Sequence, residues 1–182
     1  MSLQKAYEIV AVDRVSAGKA HDTVAMTYDQ RLLRRKKLTT SQGEAFYVDL
    51  PKTISVSAGQ GFLLSDGRIV CVEAAQEDLF AITGPDMLRY AWHVGNRHTP
   101  CELAPDQLVI QRDPVLKAML LQLGAEVKDI EAPFTPEGGA YGHGRTMGHD
   151  HGSHDHVDPA LPDDGHDHEL HHHDHIHGHH HD

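Results

Sequence analysis

The last forty residues of this 182-residue chain, 143–182, hold fifteen of its eighteen histidines and very few apolar side chains. Such a segment buries too little to offset the entropy of ordering its backbone, so it is expected to be disordered without a ligand. Whatever folds must be built from the residues before it. The run Thr135–Gly144 (TPEGGAYGHG) reads as a linker, which narrows the foldable part further, to about 135 residues. That length suits two small domains. The tail also carries nine Asp or Glu against one basic residue, Arg145. It therefore accounts for −8 of the net charge of −11, and the preceding part is close to neutral at −3.

Several function classes fall away on composition. No stretch reaches the roughly 20 apolar residues of a membrane-spanning helix. The N-terminal run Met1–Val15 lacks the apolar core of a secretory signal. Two cysteines, Cys71 and Cys101, cannot make a disulfide framework, so a reduced, cytoplasmic setting is expected. Cys71, inside the β-type run Arg68–Ala74, reads as a buried free thiol. Net negative charge argues against a nucleic-acid partner, and no membrane partner is expected. The basic run Arg31–Lys37 reads as a solvated face, with a docking surface for an acidic partner as the alternative.

Residues 1–75 read as β. Alternation and β-branched residues predict strands at Tyr7–Val15, Thr23–Thr27, Ala45–Leu50, Gly61–Leu64 and Arg68–Ala74, the last following an Asp66-Gly67 turn. Gly18, Gly43, Pro51 and Gly59 punctuate them. Short strands of this kind predict a small all-β domain. From residue 76 the pattern changes. Asp78–Thr83 reads as a strand. A helix follows from Pro85, with Met87, Leu88, Ala91, Trp92 and Val94 as its apolar face. Gly95-Asn96 can close it, or it can run on to His98. Pro100–Ala104 and Leu108–Gln111 read as two short strands around a Pro105-Asp106 turn. Asp113-Pro114 caps a helix over Val115–Leu123 that stops at Gly124, and Glu126–Glu131 is a last strand. The order βαββαβ over residues 76–135 is that of a ferredoxin-like domain. The expected fold is thus α+β, with residues 136–182 as linker and tail.

Histidine-rich tracts bind metal because neutral imidazole offers a lone pair that suits zinc, copper and nickel. Candidate ligands here are His143, His149, His151, His154, His156, His166, His168, His171, His172, His173, His175, His177, His179, His180 and His181. Their H-x-H pairs and triplets let a flexible chain wrap an ion without defining one rigid site. Asp150, Asp155, Asp167 and Asp174 lie between them, able to ligate or to orient a ligand ring. At three to four histidines per ion, the tail holds about four or five ions. An affinity tag would lack the interspersed Asp, Gly, Ser and Pro. A pH-responsive spacer is a further alternative, since histidine charges near pH 6.5.

Outside the tail lie only His21, His93 and His98. His21 reads as a surface residue. The other two flank Trp92-His93-Val94-Gly95-Asn96-Arg97-His98-Thr99-Pro100. This segment resembles the Tyr/Trp-His-x-Gly-Asn-Arg-His-x-Pro signature of the urease accessory protein UreE family, the nickel metallochaperones of urease. Pro133-Phe134 with Pro136-Glu137, and Gly138-Gly139-Ala140-Tyr141, resemble further family runs. The likeness extends over essentially the whole chain. It implies a peptide-binding-type N-terminal domain and a ferredoxin-like second domain that binds metal and forms a homodimer. It also implies that His98 is the interfacial metal ligand, whereas His93 is read as structural. A two-fold dimer doubles one histidine into a pair on the symmetry axis. Tail histidines, starting with His143, would complete an open shell suited to handing the ion on. The chain departs from some family members in having no histidine in Ile110–Pro114. Cys101 packs in its strand or serves as a soft ligand favouring zinc or copper.

The function implied is storage of Ni2+ and its delivery to apo-urease, with the accessory GTPase and the other urease maturation proteins as partners. A general Ni2+, Zn2+ or Cu2+ buffer without a dedicated client is the alternative, because copper and zinc compete at nitrogen sites. An enzyme is not expected: no H-E-x-x-H motif, nucleophile elbow or phosphate loop is present.

Overall fold

A computed structural model describes residues 3–18 and 20–138. The fifteen tail histidines, and the expectation that their segment is disordered, lie outside the described residues. The elements run β1 (Gln4–Val10), α1 (Val12–Gly18), β2 (Asp22–Met26), β3 (Leu32–Thr39), β4 (Ala45–Ser55), β5 (Gly61–Leu64) and β6 (Ile69–Ala74). They continue with β7 (Gln76–Thr83), α2 (Met87–Gly95), β8 (Cys101–Leu103), β9 (Leu108–Gln111), α3 (Pro114–Gln122) and β10 (Glu126–Pro133). The fold is α+β, as the pattern predicts.

The first six strands form one mixed sheet in the order β2-β6-β5-β1-β4-β3, with β1–β4 and β2–β6 parallel. Its two edge strands feed the same core. Val24 and Met26 of β2 pack in one cluster with Leu33 and Leu38 of β3, around Phe46, Val48, Phe62 and Val70. A sheet whose opposite edges share a core has to curl around it. Phe46 and Phe62 meet at its centre, with ring centroids 5.7 Å apart.

Three local expectations change here. The strand predicted over Tyr7–Val15 ends at Val10, and Val12–Gly18 is a one-turn-plus helix. The side chain that decides this is Val15, which seals the sheet against Val10 and Ile69. Gly61 permits that approach, because a Cβ there would stand 2.9 Å from Val15 Cγ2 and 2.7 Å from Ile69 Cγ2. The basic run is itself a strand. In β3 four consecutive charges, Arg34–Lys37, are exposed between the buried Leu33 and Leu38 on a sheet edge. Alternation cannot be read where both faces are wet, and charge on an edge strand blunts unwanted pairing. Finally, β4 runs through Pro51 to Ser55. Its register against β3 jumps between Asp49 and Ile54, which places Pro51 in a bulge where its missing N–H is not needed.

The second sheet has the order β10-β7-β9-β8 and is antiparallel throughout. This is the ferredoxin-like arrangement of the βαββαβ order. Asp113 caps α3 by accepting from the N–H groups of Val115 (2.7 Å) and Leu116 (3.1 Å), and Gly124 closes it at φ 89°. Both helices cover one face of the sheet: Tyr90 and Val94 of α2, and Leu116 and Leu120 of α3, pack on Phe80, Ile82, Leu108 and Ile110.

The other face, Leu79 and Val109, is closed by Phe134, which follows β10. Phe134 is fully buried and meets the edge of Tyr28, from the loop after β2, at 5.5 Å between centroids. Arg31 of the same loop is also buried and donates to the Phe134 carbonyl. The Tyr28 N–H donates to Glu77 Oε1 at 2.6 Å. Phe134→Ala is expected to cost about 3–5 kcal/mol in urea unfolding, as for a large side chain lost from a core; an unchanged midpoint would contradict this role.

Asp22 is a buried carboxylate at the start of β2. The Ser41 hydroxyl, 2.6 Å away, leads the hydrogen bonds that hold its carboxyl down to about 2. An unfolded Asp titrates near about 3.9. The native state is thus favoured at pH values above that, and this contribution is lost as pH falls through about 2. Asp22→Asn should flatten this acid limb of the stability profile in denaturation followed between pH 5 and 2.

Candidate metal centre

The signature segment lies on α2 and the turn that ends it. Tyr90 and Val94 are fully buried and fix the helix by one face. Four residues apart on the outer face, Leu88 and Trp92 are 87% and 63% exposed, unusual values for side chains of this size. His93 is half-buried, with its ring edge-on to Trp92 at 4.9 Å.

The helix tightens after Gly95. The Arg97 N–H donates to the Val94 carbonyl at 3.2 Å. The His98 N–H then bonds the Gly95 carbonyl (2.9 Å), and the Thr99 N–H bonds that of Val94 (3.4 Å). These two crossed bonds are a Schellman motif, and they place His98 at the left-handed position that glycine usually fills. His98 has φ 54°, the only positive φ outside glycine among the described residues. Of the two endings left open by the sequence, the helix takes the earlier one, ending at Gly95 with Asn96 as its cap, and the left-handed turn follows at His98.

His98 is exposed. A left-handed backbone is strained for a residue with a Cβ, although histidine tolerates it better than most. Glycine would make the turn more cheaply, so the imidazole is what this position retains at some expense in stability. His98→Gly is expected to raise stability by about 0.5–1 kcal/mol. A fall in the thermal midpoint would show that the side chain supports the fold.

Among the described residues, no three His, Cys, Asp or Glu side chains gather into a metal-binding group. His98 is thus not part of such a group among the described residues. Cys101, three residues on, is half-buried against the second core, and burial pushes its thiol up to about 11. A thiol so raised stays protonated at neutral pH and is a poor ligand, which favours the packing role. His21 lies elsewhere, with Nε2 2.7 Å from the Arg68 guanidinium, in a surface cluster with Glu44. Of the predicted ligands only His98 lies within the described residues.

One feature of the site has no local sequence signal. A cavity of about 510 Å3 opens beside the turn, lined by Gly95, Thr99 and Cys101 from α2, the turn and β8, and by Tyr28, Arg31 and Val56 from the connections after β2 and β4. The residues that lead toward the tail, Thr135–Gly138, form part of its wall. They are held to β8 by contacts with Glu102 and Cys101, thirty or more residues away in sequence.

Comparison with known proteins matches two family models in tandem. Residues 8–75 match the N-terminal domain of the UreE urease accessory protein, and residues 77–168 its C-terminal domain. The chain is similar to a urease accessory protein UreE of Ruegeria pomeroyi, 56% identical over 133 residues, covering 73% of this chain and 89% of the relative. It is also 56% identical over 135 residues to that of Cereibacter sphaeroides, covering 74% of each. A third, from Rhodobacter capsulatus, is 52% identical over 133 residues, covering 73% of this chain and 85% of the relative.

Proposed function

The chain belongs to the UreE family of urease accessory proteins, and from that premise we propose that it binds Ni2+, stores it and delivers it for assembly of the urease active site. The observation that carries the reading is His98, an exposed imidazole held in a left-handed turn that glycine would form with less strain.

A lone imidazole cannot hold a transition metal selectively. Pairing two protomers about a two-fold axis brings two copies together. The exposed Leu88 and Trp92 of α2 supply an apolar face for that contact. In this reading residues 76–135 bind metal and dimerise, and residues 1–75 serve as the peptide-binding-type part. Two His98 side chains leave most of the coordination sphere open. Tail histidines enter and leave that sphere, so the ion is held by ligands that exchange. This suits transfer better than a closed set of fixed ligands. The nine acidic residues of the tail raise the local concentration of dications around the body.

Delivery goes to apo-urease through the accessory GTPase and the other maturation proteins, in the cytoplasm. No helix of the described residues is long and apolar enough to cross a membrane. The chain itself catalyses no reaction in this scheme; it changes only the identity of the ligands around the ion.

Nickel titration followed by native mass measurement tests the proposal. Deleting residues 143–182 should lower the bound ions by about four or five per chain and leave a dimer with one shared ion. His98→Ala in that shortened chain should abolish the tight step without unfolding the body. Unchanged binding would remove His98 as the body ligand, and an unchanged ion count after deletion would overturn storage in the tail.

A further inference from the structure

The four charges Arg34–Lys37 are exposed on β3, which forms one edge of the first sheet. One of them is engaged: the Arg35 Nε donates to Asp49 Oδ1 of β4 at 2.7 Å. Arg34, Lys36 and Lys37 have no ion-pair partner among the described residues.

The hairpin after β3 fixes which way the backbone groups of the strand point. The Thr40 N–H donates to the Glu44 carbonyl at 2.9 Å, in line with the register that pairs Leu38 with Phe46 and Lys36 with Val48. Hydrogen-bonded pairs recur at every second residue of an antiparallel ladder. Leu38 and Lys36 therefore bond β4, whereas Arg35 and Lys37 turn their N–H and C=O groups to the outer edge. No strand of the described residues pairs with that edge. Positive charge lies on both faces of the strand, because Lys36 opposite Val48 and Lys37 opposite Tyr47 alternate.

Charge and backbone chemistry together select the occupant of this edge. A second copy of β3 would set four cations against four, which repels. Residues 143–182 have the right sign but are rich in Asp and Gly, which strands use sparingly. A phosphate polymer answers the charge and leaves the carbonyl row unused, because phosphate only accepts. An acidic polypeptide segment in extended form answers both.

We propose that the outer edge of β3 is a docking site for an acidic, extended segment of a partner protein, which adds to the first sheet as a further strand. Main-chain bonds to Arg35 and Lys37 set its register, and Asp or Glu side chains beside Arg34–Lys37 select it. The charges that blunt pairing between copies thereby admit a strand of opposite sign. This deepens, and rests on, the reading of residues 1–75 as the peptide-binding-type part, and it is independent of the metal turn.

The test uses the full-length, metal-free chain and a synthetic peptide as long as β3 in which glutamate and valine alternate, with its lysine–valine counterpart as control. Hydrogen exchange at the Arg35 and Lys37 amides should slow when the acidic peptide is added and stay unchanged with the basic one. Affinity read by calorimetry should fall with added salt. Lys36→Glu combined with Lys37→Glu should weaken binding at least about tenfold. Lys37→Pro deletes an outward N–H, which an edge strand tolerates. It should weaken binding more than Lys37→Gln, which removes the charge alone. Equal losses in these two variants would reduce the site to a charged surface without an added strand, and overturn the proposal. Slow exchange at both amides before any peptide is added would do the same, since the tail or a second copy would then fill the edge. So would an oligothymidylate that binds more tightly than the acidic peptide. Slowed exchange on other strands of the first sheet, with β3 unchanged, would overturn the edge and leave the peptide-binding reading standing. Failure of the acidic peptide to bind at all would overturn both.

Discussion

The burial of Phe134 on the far face of the second sheet is the contact on which the rest of the structure leans. A four-stranded sheet with two helices covers only one of its faces, and Leu79 and Val109 on the other need a lid. Phe134 supplies it, and Tyr28 completes it from the first sheet. The buried Arg31 guanidinium then caps the Phe134 carbonyl, which would otherwise lose its hydration at the junction. One aromatic side chain thereby joins the two sheets and fixes where the chain leaves β10. Because that exit is fixed, Thr135 and Glu137 come to bond with Glu102 and Cys101 of β8.

The turn itself shows two demands in competition. The helix needs to stop so that β8 can join the sheet, and a Schellman ending does this with two crossed hydrogen bonds. Glycine suits that ending best, yet the position carries His98. Gly95, three residues earlier, sits in ordinary helical backbone where its freedom is not used. The helix ends there, with Asn96 as its cap, and the left-handed residue comes two positions later, at His98. His98 is thus held by its backbone on a short, hydrogen-bonded turn rather than on a loose loop.

Much of the second sheet was legible residue by residue. Asp113-Pro114 announced the start of α3 and Gly124 its end, because capping chemistry is local. The paired runs around Pro105-Asp106 were equally plain, but the apolar face read for α2 was only partly right: Val94 is buried, whereas Leu88 and Trp92 are exposed and Tyr90 takes the buried place. The first sheet was less so, since its irregularities answer to distant partners. The helix at Val12–Gly18 exists because Val15 has a seat between Val10 and Ile69. The bulge around Pro51 exists because β3 and β4 change register there. Neither condition is written in the segment it governs. The same holds for Glu102, whose partner Thr135 is thirty-three residues on.

By itself, the sequence determined the α+β class, the order of elements in the second sheet, the family signature and the candidate ligands. Those properties follow from local periodicity, capping residues and residue chemistry, which need no knowledge of what lies across the core. The tertiary structure alone decided that His98 occupies the left-handed turn, that Cys101 is half-buried against the second core, and that Thr135 and Glu137 bond to β8. Each depends on contacts between residues far apart in the chain, whose energies exist only once the two sheets have closed on Phe134.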